Sequence, residues 1–151
     1  MSRIRKYFAL TPVERALVRR SLVLLPVVTL LLRACGMERT CMWLRRLAPP
    51  AAGVPLSPDK TAFLVGAAAS NLRTRCLPRS LVLLHFLRAH GSRAEVRLGV
   101  AKLADGSLSA HAWVELDGVP LNDGPDVAER YAALPSHEGR FPGSDTKTLS
   151  L

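Results

Sequence analysis

The apolar residues of this chain change their spacing at Gly91, and that change is the strongest limit on its fold. Before Gly91 the spacing is helical and ends in the strongly apolar run SLVLLHFLRAH over residues 80–90. After Gly91, residues 94–103 (AEVRLGVAKL) alternate in the manner of a half-buried strand. The sequence therefore predicts helices followed by strands.

Two Asp-Gly pairs, at residues 105–106 and 117–118, predict tight turns in the second half of the chain. They separate the first strand from a second over residues 108–116, and the second from a third over residues 119–122. Consecutive strands joined by tight turns pair antiparallel. A run of helices followed by an antiparallel sheet is an α+β fold.

The first helix should begin at Thr11, because residues 11–14 (TPVE) form a capping box with proline at the first helical position. Pro26 interrupts the helical pattern and predicts two short helices between Thr11 and about Cys35, the second of them largely buried. Gly36 then predicts a stop, followed by another short helix up to residue 47.

An apolar stretch, Leu22–Leu32 (LVLLPVVTLLL), lies within this region and is bounded by arginines. It is shorter than the roughly 20 residues that a membrane-spanning helix needs. We therefore expect a packed element of a cytoplasmic protein. Peripheral contact with a membrane and an export signal are the two alternatives.

The sequence divides into a helical N-terminal extension over residues 1–47, a linker over residues 48–58 and a domain over residues 59–151 that contains the candidate catalytic residues described below. The linker (APPAAGVPLSP) is rich in proline, whereas both flanking parts carry helical patterns. A helix capped by Ser57 opens this second domain, and residues 135–151 should lie over its surface. The extension is the expected docking surface for partners.

Composition argues against nucleic acids, disulfides and metals. The net charge of +9 comes mostly from arginines scattered along the chain, without the dense basic block and interleaved aromatics typical of nucleic-acid binding. The three cysteines form no regular disulfide framework, and no Cys-x-x-Cys pair or Cys/His group has zinc spacing. We expect a protein of the reducing cytoplasm without a bound metal.

Cys76 stands where a cysteine becomes a nucleophile. The sequence RCLPRS opens the apolar helix, and both the helix dipole and the neighbouring Arg75 and Arg79 favour the thiolate. The amides of Cys76 and Leu77 have no helical partners and are the candidates for binding an oxyanion. The remaining cysteines, Cys35 and Cys41, lack this setting.

Of the four histidines, His111 is the candidate base. It lies in the middle of the predicted second strand between two alanines, which leave room around the imidazole. Trp113 points to the same face and would shield the site from water. His85 and His90 belong to the apolar helix, where a packing role and a contact with the helix dipole explain them.

Asp123 is the candidate orienting carboxylate, and the turn before it offers a test. A two-residue turn at residues 117–118 puts the side chains of His111 and Asp123 on opposite faces. A three-residue loop or a bulge brings them to one face, so a triad predicts one of these. A regular two-residue turn instead favours Asn122, another group, or the nearby Asp126.

The segments RCLPRSLVLLHFLRAHG and AHAWVELDGVPLND, with LGV between them, resemble the transglutaminase-like cysteine peptidases of lasso peptide biosynthesis. In that family a Cys opening a helix, a His in an A-H-A-W-V-E strand and an Asp on the next strand form the triad. These positions match Cys76, His111 and Asp123. The stretch LTPVERALVRRSLVLLPVVTLLLR resembles the helical extension of the stand-alone members. The resemblance implies a transglutaminase-like or papain-like core.

The same resemblance implies removal of the leader peptide from a ribosomally made lasso peptide precursor, a step of antibiotic biosynthesis. It also implies a separate leader-recognition protein and an ATP-dependent cyclase that closes the macrolactam ring. No cofactor is expected in this chain, because the sequence has no phosphate-cradling glycine motif, although ATP has been associated with maturation in this family. The alternatives are another transglutaminase-like peptidase or acyltransferase, and a non-catalytic, membrane-associated adaptor.

Overall fold

The computed structural model describes residues 9–47 and 56–134. Their elements are α1 (Pro12–Arg46), α2 (Pro58–Asn71), α3 (Cys76–Ala89), β1 (Glu95–Lys102), β2 (Leu108–Leu116), β3 (Val119–Pro120), α4 (Val127–Arg130) and β4 (Ala132–Ala133). The three long helices precede the strands, so the predicted α+β class is confirmed. Most of the predicted linker, and the predicted surface segment 135–151, lie outside the described residues.

The strands form one antiparallel sheet in the order β3-β2-β1-β4. β1 pairs with β2 along its whole length, from Glu95 opposite Glu115 to Lys102 opposite Leu108. β4 and β3 are short strands on the two edges. The central pair, β1 and β2, therefore carries the sheet.

The core lies between the helices and one face of the sheet. In α3, the residues from Ser80 to Leu87 are all buried, which makes this helix the centre of the core as predicted. Leu25 of α1, Val65 of α2 and Val114 of β2 pack in the same cluster and are fully enclosed. Burying an aliphatic side chain of this size contributes about 1.5–3 kcal/mol. This packing holds the start of α3 in a fixed position relative to β2.

α1 begins where the capping box predicts. Thr11 is the N-cap, its hydroxyl accepts a hydrogen bond from the amide of Glu14, and the Glu14 carboxylate accepts one from the amide of Thr11. The helix continues through Pro26, so the predicted split there is wrong. Its non-helical residue is Gly36, with a φ of 77°. Pro26 is tolerated because it is exposed, so water can bond the carbonyl that lacks an amide partner.

The apolar stretch within α1 is less buried than its sequence predicts. Leu25 and Val28 are fully buried, but Val23 and Leu30 are each 63% exposed. The prediction of a largely buried helix is therefore wrong for the outward side. The reason is that α1 packs against α2 and α3, which cover only one side of it.

The turns of the sheet fall at the predicted Asp-Gly pairs. In the β1–β2 connection, Gly106 has a φ of 84°. Between β2 and β3, Leu116 pairs with Val119, and Asp117 and Gly118 have φ values of 52° and 80°. Positive φ at both central residues defines a two-residue type I′ turn. The three-residue loop that was predicted from a Cys-His-Asp triad is therefore absent between β2 and β3, and that prediction is wrong.

Candidate active site

Side chains alternate between the two faces of β2. Val114 lies on the face that packs against the helices, whereas His111 and Trp113 lie on the other face. Gly99 of β1 is directly opposite His111 in the pairing of the two strands. The face that carries His111 is therefore separate from the main hydrophobic core.

Asp123 contacts His111 even though the turn between their strands is regular. The Nε2 atom of His111 and the Oδ2 atom of Asp123 form a hydrogen bond, and the two side chains are 18% and 15% exposed. Residues on opposite faces of a continuous ladder do not meet in this way. The chain must therefore leave the ladder before Asp123.

Asn122 takes the chain out of the ladder. The backbone pairing of the two strands ends with the bond from the amide of Leu121 to the carbonyl of Val114, at 2.9 Å. The amide of Val114 then donates to the side-chain Oδ1 of Asn122, at 2.7 Å. This bond ends β3 and lets Asp123 turn towards His111. The prediction of a loop or bulge failed because it assumed that β3 continued to residue 122.

The same Asn122 amide ties the sheet to α3. Its Nδ2 donates to Oγ of Ser80, and that Oγ donates to the carbonyl of Ala112, both at 3.0 Å. These bonds satisfy polar groups of β2 that β3 leaves without a strand partner. Ser80 is one helical turn after Cys76, and Ala112 follows His111 in the chain. The start of α3 therefore lies beside the strand segment that carries His111.

Cys76 is a free, half-buried thiol at the first residue of α3. Arg75 is the N-cap residue, and its side chain makes no capping hydrogen bond. Pro78 has no amide hydrogen, so Cys76 and Leu77 supply the first donors of this helix start. Arg79 is anchored nearby, because its Nη2 donates to the carbonyl of Asn122 at 2.5 Å.

The other cysteines belong to α1 and have structural surroundings. The Sγ atom of Cys35 lies 3.1 Å from the carbonyl of Leu31, as expected for a thiol bonded within its own helix. Burial raises the pKa of the Cys41 thiol, which disfavours its thiolate. Neither cysteine stands at a helix start.

The carboxylate of Asp123 is held charged by its hydrogen bonds. Burial raises the pKa of Asp123, but the bonds from His111, the Gly124 amide and Arg130 outweigh it and bring the pKa below the usual aspartate value. The Gly124 amide and Nη2 of Arg130 both bond Oδ1, at 2.8 and 2.7 Å. A charged carboxylate at Nε2 favours the His111 tautomer that carries its proton on that nitrogen.

Asp126, the acidic alternative from the sequence, pairs with Arg130 and not with His111. Its Oδ2 lies 2.8 Å from Nε of Arg130, four residues later. Asn122, the other alternative, bonds Val114 and Ser80 as described above. Of the three candidates, Asp123 is the one whose side chain reaches the imidazole.

Two aromatic rings stack with the imidazole of His111. The ring of Tyr131 has its centroid 4.8 Å away, and that of Trp113 lies 6.1 Å away. Trp113 is fully buried, and its Nε1 donates to Glu115 at 2.7 Å. The rings restrict the orientation of the imidazole and keep water from part of its surface.

Gly99 has no side chain and so leaves room for the side chains of Trp113 and Tyr131. A Cβ at this position would lie 2.9 Å from both the Trp113 ring and the Cβ of Tyr131. Any larger residue would therefore push against the two side chains that stack on His111.

A family model described as the transglutaminase-like superfamily matches residues 9–136. The chain belongs to the transglutaminase-like superfamily. The match includes α1 as well as the sheet, and it agrees with a papain-like α+β core in which helices precede an antiparallel sheet. No curated protein and no solved structure gives a significant match to the chain.

Several residues of this transglutaminase-like site were not identified from the sequence. Arg130 and Tyr131 come from a short helix and the segment after it, and no local pattern connects them with His111. Gly99 carried a usable signal, because a glycine inside a strand often marks a close approach by another group. Ser80 also carried one, as a polar residue within an otherwise apolar helix.

No metal site is evident in the part of this transglutaminase-like chain that the structure describes. Among residues 9–47 and 56–134, no group of three or more His, Cys, Asp or Glu side chains is placed to hold an ion. His111 and Asp123 are bonded to each other, and Arg130 occupies the second oxygen of that carboxylate. The Arg130 guanidinium would compete with a metal cation for this oxygen of Asp123.

Proposed function

We propose that this transglutaminase-like protein is a cysteine peptidase with Cys76 as nucleophile, His111 as base and Asp123 as orienting carboxylate. The observation that carries the proposal is the His111–Asp123 hydrogen bond, formed where a regular ladder would separate the two residues. The Asn122–Ser80 link, which brings the start of α3 to the same segment, supports it.

The proposed reaction starts with proton transfer from the Cys76 thiol to His111. Because Asp123 bonds Nε2, the nitrogen that exchanges this proton is Nδ1. The thiolate sulfur attacks the carbonyl carbon of the scissile peptide bond, and the C–N bond then breaks. The leaving amine takes the proton from His111, and a thioester remains on Cys76.

Hydrolysis of the thioester completes the cycle. His111 takes a proton from water, the resulting hydroxide attacks the thioester carbonyl, and the sulfur leaves and is reprotonated. In both halves the amides of Cys76 and Leu77 are the proposed donors to the negative oxygen. This assignment rests on the uncapped start of α3 and on the missing amide hydrogen of Pro78.

The proposed substrate is the leader segment of a lasso peptide precursor. The support for it is the resemblance of the RCLPRS and AHAWVELDGVPLND segments to the leader peptidases of that pathway. On this proposal the precursor arrives in the cytoplasm with a separate leader-recognition protein, and an ATP-dependent cyclase takes the product. No cofactor is proposed for this chain itself.

The test is mass spectrometry of a candidate precursor incubated with the protein and its recognition partner. We expect a leader fragment with a free carboxylate from the wild type and none from Cys76→Ala. Cys35→Ala and Cys41→Ala are matched controls and should cleave normally. Equal cleavage by Cys76→Ala would remove Cys76 from the mechanism, and an amine-linked product without the free acid would indicate an acyltransferase instead.

A further inference from the structure

The side of α1 that faces away from the core carries an exposed apolar patch. Leu22, Val23, Pro26 and Leu30 form this outer patch, and they recur at the spacing of one helix face. Leu22 is 37% exposed, and Val23 and Leu30 are each 63% exposed. In the most apolar part of α1, only 17% of the residues are buried.

Arginines lie at both ends of the outer patch. Arg19 comes one turn before Val23 and Arg33 one turn after Leu30, so both share its face, and both are exposed. None of the ion pairs among the described residues includes Arg15, Arg19, Arg20 or Arg33. These four positive charges therefore have no acidic counterpart within the described chain.

The part of α1 that carries the outer patch, from Pro12 to Gly36, has a single acidic residue, and it faces the core. Glu14 is the one acidic residue between Pro12 and Gly36. It is 8% exposed on the core side and pairs with Lys60 at 2.9 Å. An aliphatic surface with arginines at its ends and no carboxylate is complementary to a lipid layer, in which anionic headgroups cover an apolar interior.

The geometry favours a helix lying on a membrane over one that crosses it. α1 is long and apolar enough to span a membrane, but so are the core helices of many soluble proteins and many signal sequences. However, Leu25 and Val28 on its other side are fully buried in the core, so crossing would require the core to open. Arg19 and Arg33 also bracket a segment of only about 20 Å, which is shorter than the hydrocarbon layer.

We propose that α1 docks this protein on an anionic lipid surface. The outer patch enters the boundary between headgroups and acyl chains, and the flanking arginines bind headgroup phosphates, for which the guanidinium is well shaped. Docking places the protein next to a membrane while the opposite side of α1 stays in the core. This proposal does not depend on the function proposed for Cys76.

The experiment is flotation of the full-length protein with vesicles of phosphatidylcholine alone and of phosphatidylcholine with phosphatidylglycerol. We expect binding to the anionic vesicles, weakened by high salt, and little binding to the neutral ones. Val23→Ser/Leu30→Ser should reduce binding about tenfold or more. The matched control is Phe63→Ser/Leu108→Ser, at residues that are 68% and 73% exposed on other elements, and it should bind as the wild type.

A second pair of variants tests the charges. Arg19→Gln/Arg33→Gln should weaken binding to anionic vesicles about tenfold. Arg45→Gln/Arg46→Gln removes the same charge from exposed positions beyond the break at Gly36 and should have a smaller effect. Circular dichroism of each variant checks that the helices are intact.

Three results would overturn the proposal. One is the failure of the monodisperse wild type to bind anionic vesicles, and another is equal binding to both vesicle types. The third is a lipid-independent dimer that Val23→Ser/Leu30→Ser dissociates, which would assign the outer patch to a second copy of the chain.

Discussion

Arg130 binds the carboxylate oxygen of Asp123 that His111 does not use. Its Nη2 lies 2.7 Å from Oδ1, while Oδ2 bonds Nε2 of His111. Its Nε is held by Asp126, and the next residue, Tyr131, stacks on the imidazole. The short segment that contains Arg130 and Tyr131 therefore positions both the Asp123 carboxylate and the His111 imidazole that this carboxylate orients.

On the proposed function, Arg130→Ala should lower kcat about tenfold to a hundredfold, because Asp123 loses one of its anchors and small errors in orientation are costly. Arg130→Lys keeps the positive charge and should recover part of the activity. The recovery should be incomplete, because an ammonium cannot bond Asp123 and Asp126 through a planar fork. The measurement is kcat and kcat/KM against pH. Glu129→Gln on the same helix is the control, and equal losses in it would show a general effect on α4.

Asp123 should stabilise the fold in a pH-dependent way. Its pKa is lowered in the folded protein, so its contribution is fully present above the unfolded aspartate pKa of about 4. The contribution is lost as pH falls through the lowered folded value. The stability gap between wild type and Asp123→Asn should therefore be largest near neutral pH and shrink below about pH 4.

Chemical denaturation at several pH values measures this gap. Asp117→Asn is the control, because Asp117 lies exposed in a turn where asparagine fits equally well. A gap that stays constant down to pH 3 would contradict the role given to Asp123. On the proposed function, Asp123→Asn should also lower kcat about a hundredfold to ten-thousandfold through the wrong imidazole tautomer.

Gly99→Ala should destabilise the protein by about 1–3 kcal/mol, because the added methyl meets Trp113 and Tyr131 at 2.9 Å. On the proposed function, activity should fall as well, since both rings stack on His111. The measurements are the unfolding free energy and kcat/KM. Gly66→Ala is the matched control: it has no atom within 4 Å of the new Cβ, and it should be neutral or slightly stabilising in its helix.

Ser80 and Asn122 should behave as one unit in a double-mutant cycle. Ser80→Ala or Asn122→Ala each leaves polar groups of β2 without a partner and should cost about 1–3 kcal/mol. The double variant should cost less than the sum, because the two side chains share a hydrogen bond. Ser70→Ala, which removes an exposed hydroxyl bonded within α2, is the control. Strict additivity of Ser80 and Asn122 would argue against the link.

The features that were predicted correctly from the sequence depend on interactions between residues close together in the chain. The capping box at Thr11, the start of α3 at Cys76 and the Asp-Gly turns depend on neighbouring residues, so a short window contains the required information. The α+β class followed from the order of helices and strands, and the transglutaminase-like family was indicated by the resemblance of the segments that carry Cys76, His111 and Asp123. Pro26 was misjudged because its effect depends on whether water reaches the helix at that point.

Sequence alone determined the types of residue in the site, and the tertiary structure decided which of them meet. His111 and Asp123 come together only because the side chain of Asn122 accepts the hydrogen bond of the Val114 amide in place of a backbone carbonyl. Ser80 of α3 holds the Asn122 side chain in this position by accepting a hydrogen bond from its Nδ2. The burial of α1 was likewise decided by how many helices pack around it. Contacts between distant segments depend on the packing of the whole core, and no local pattern of residues encodes them.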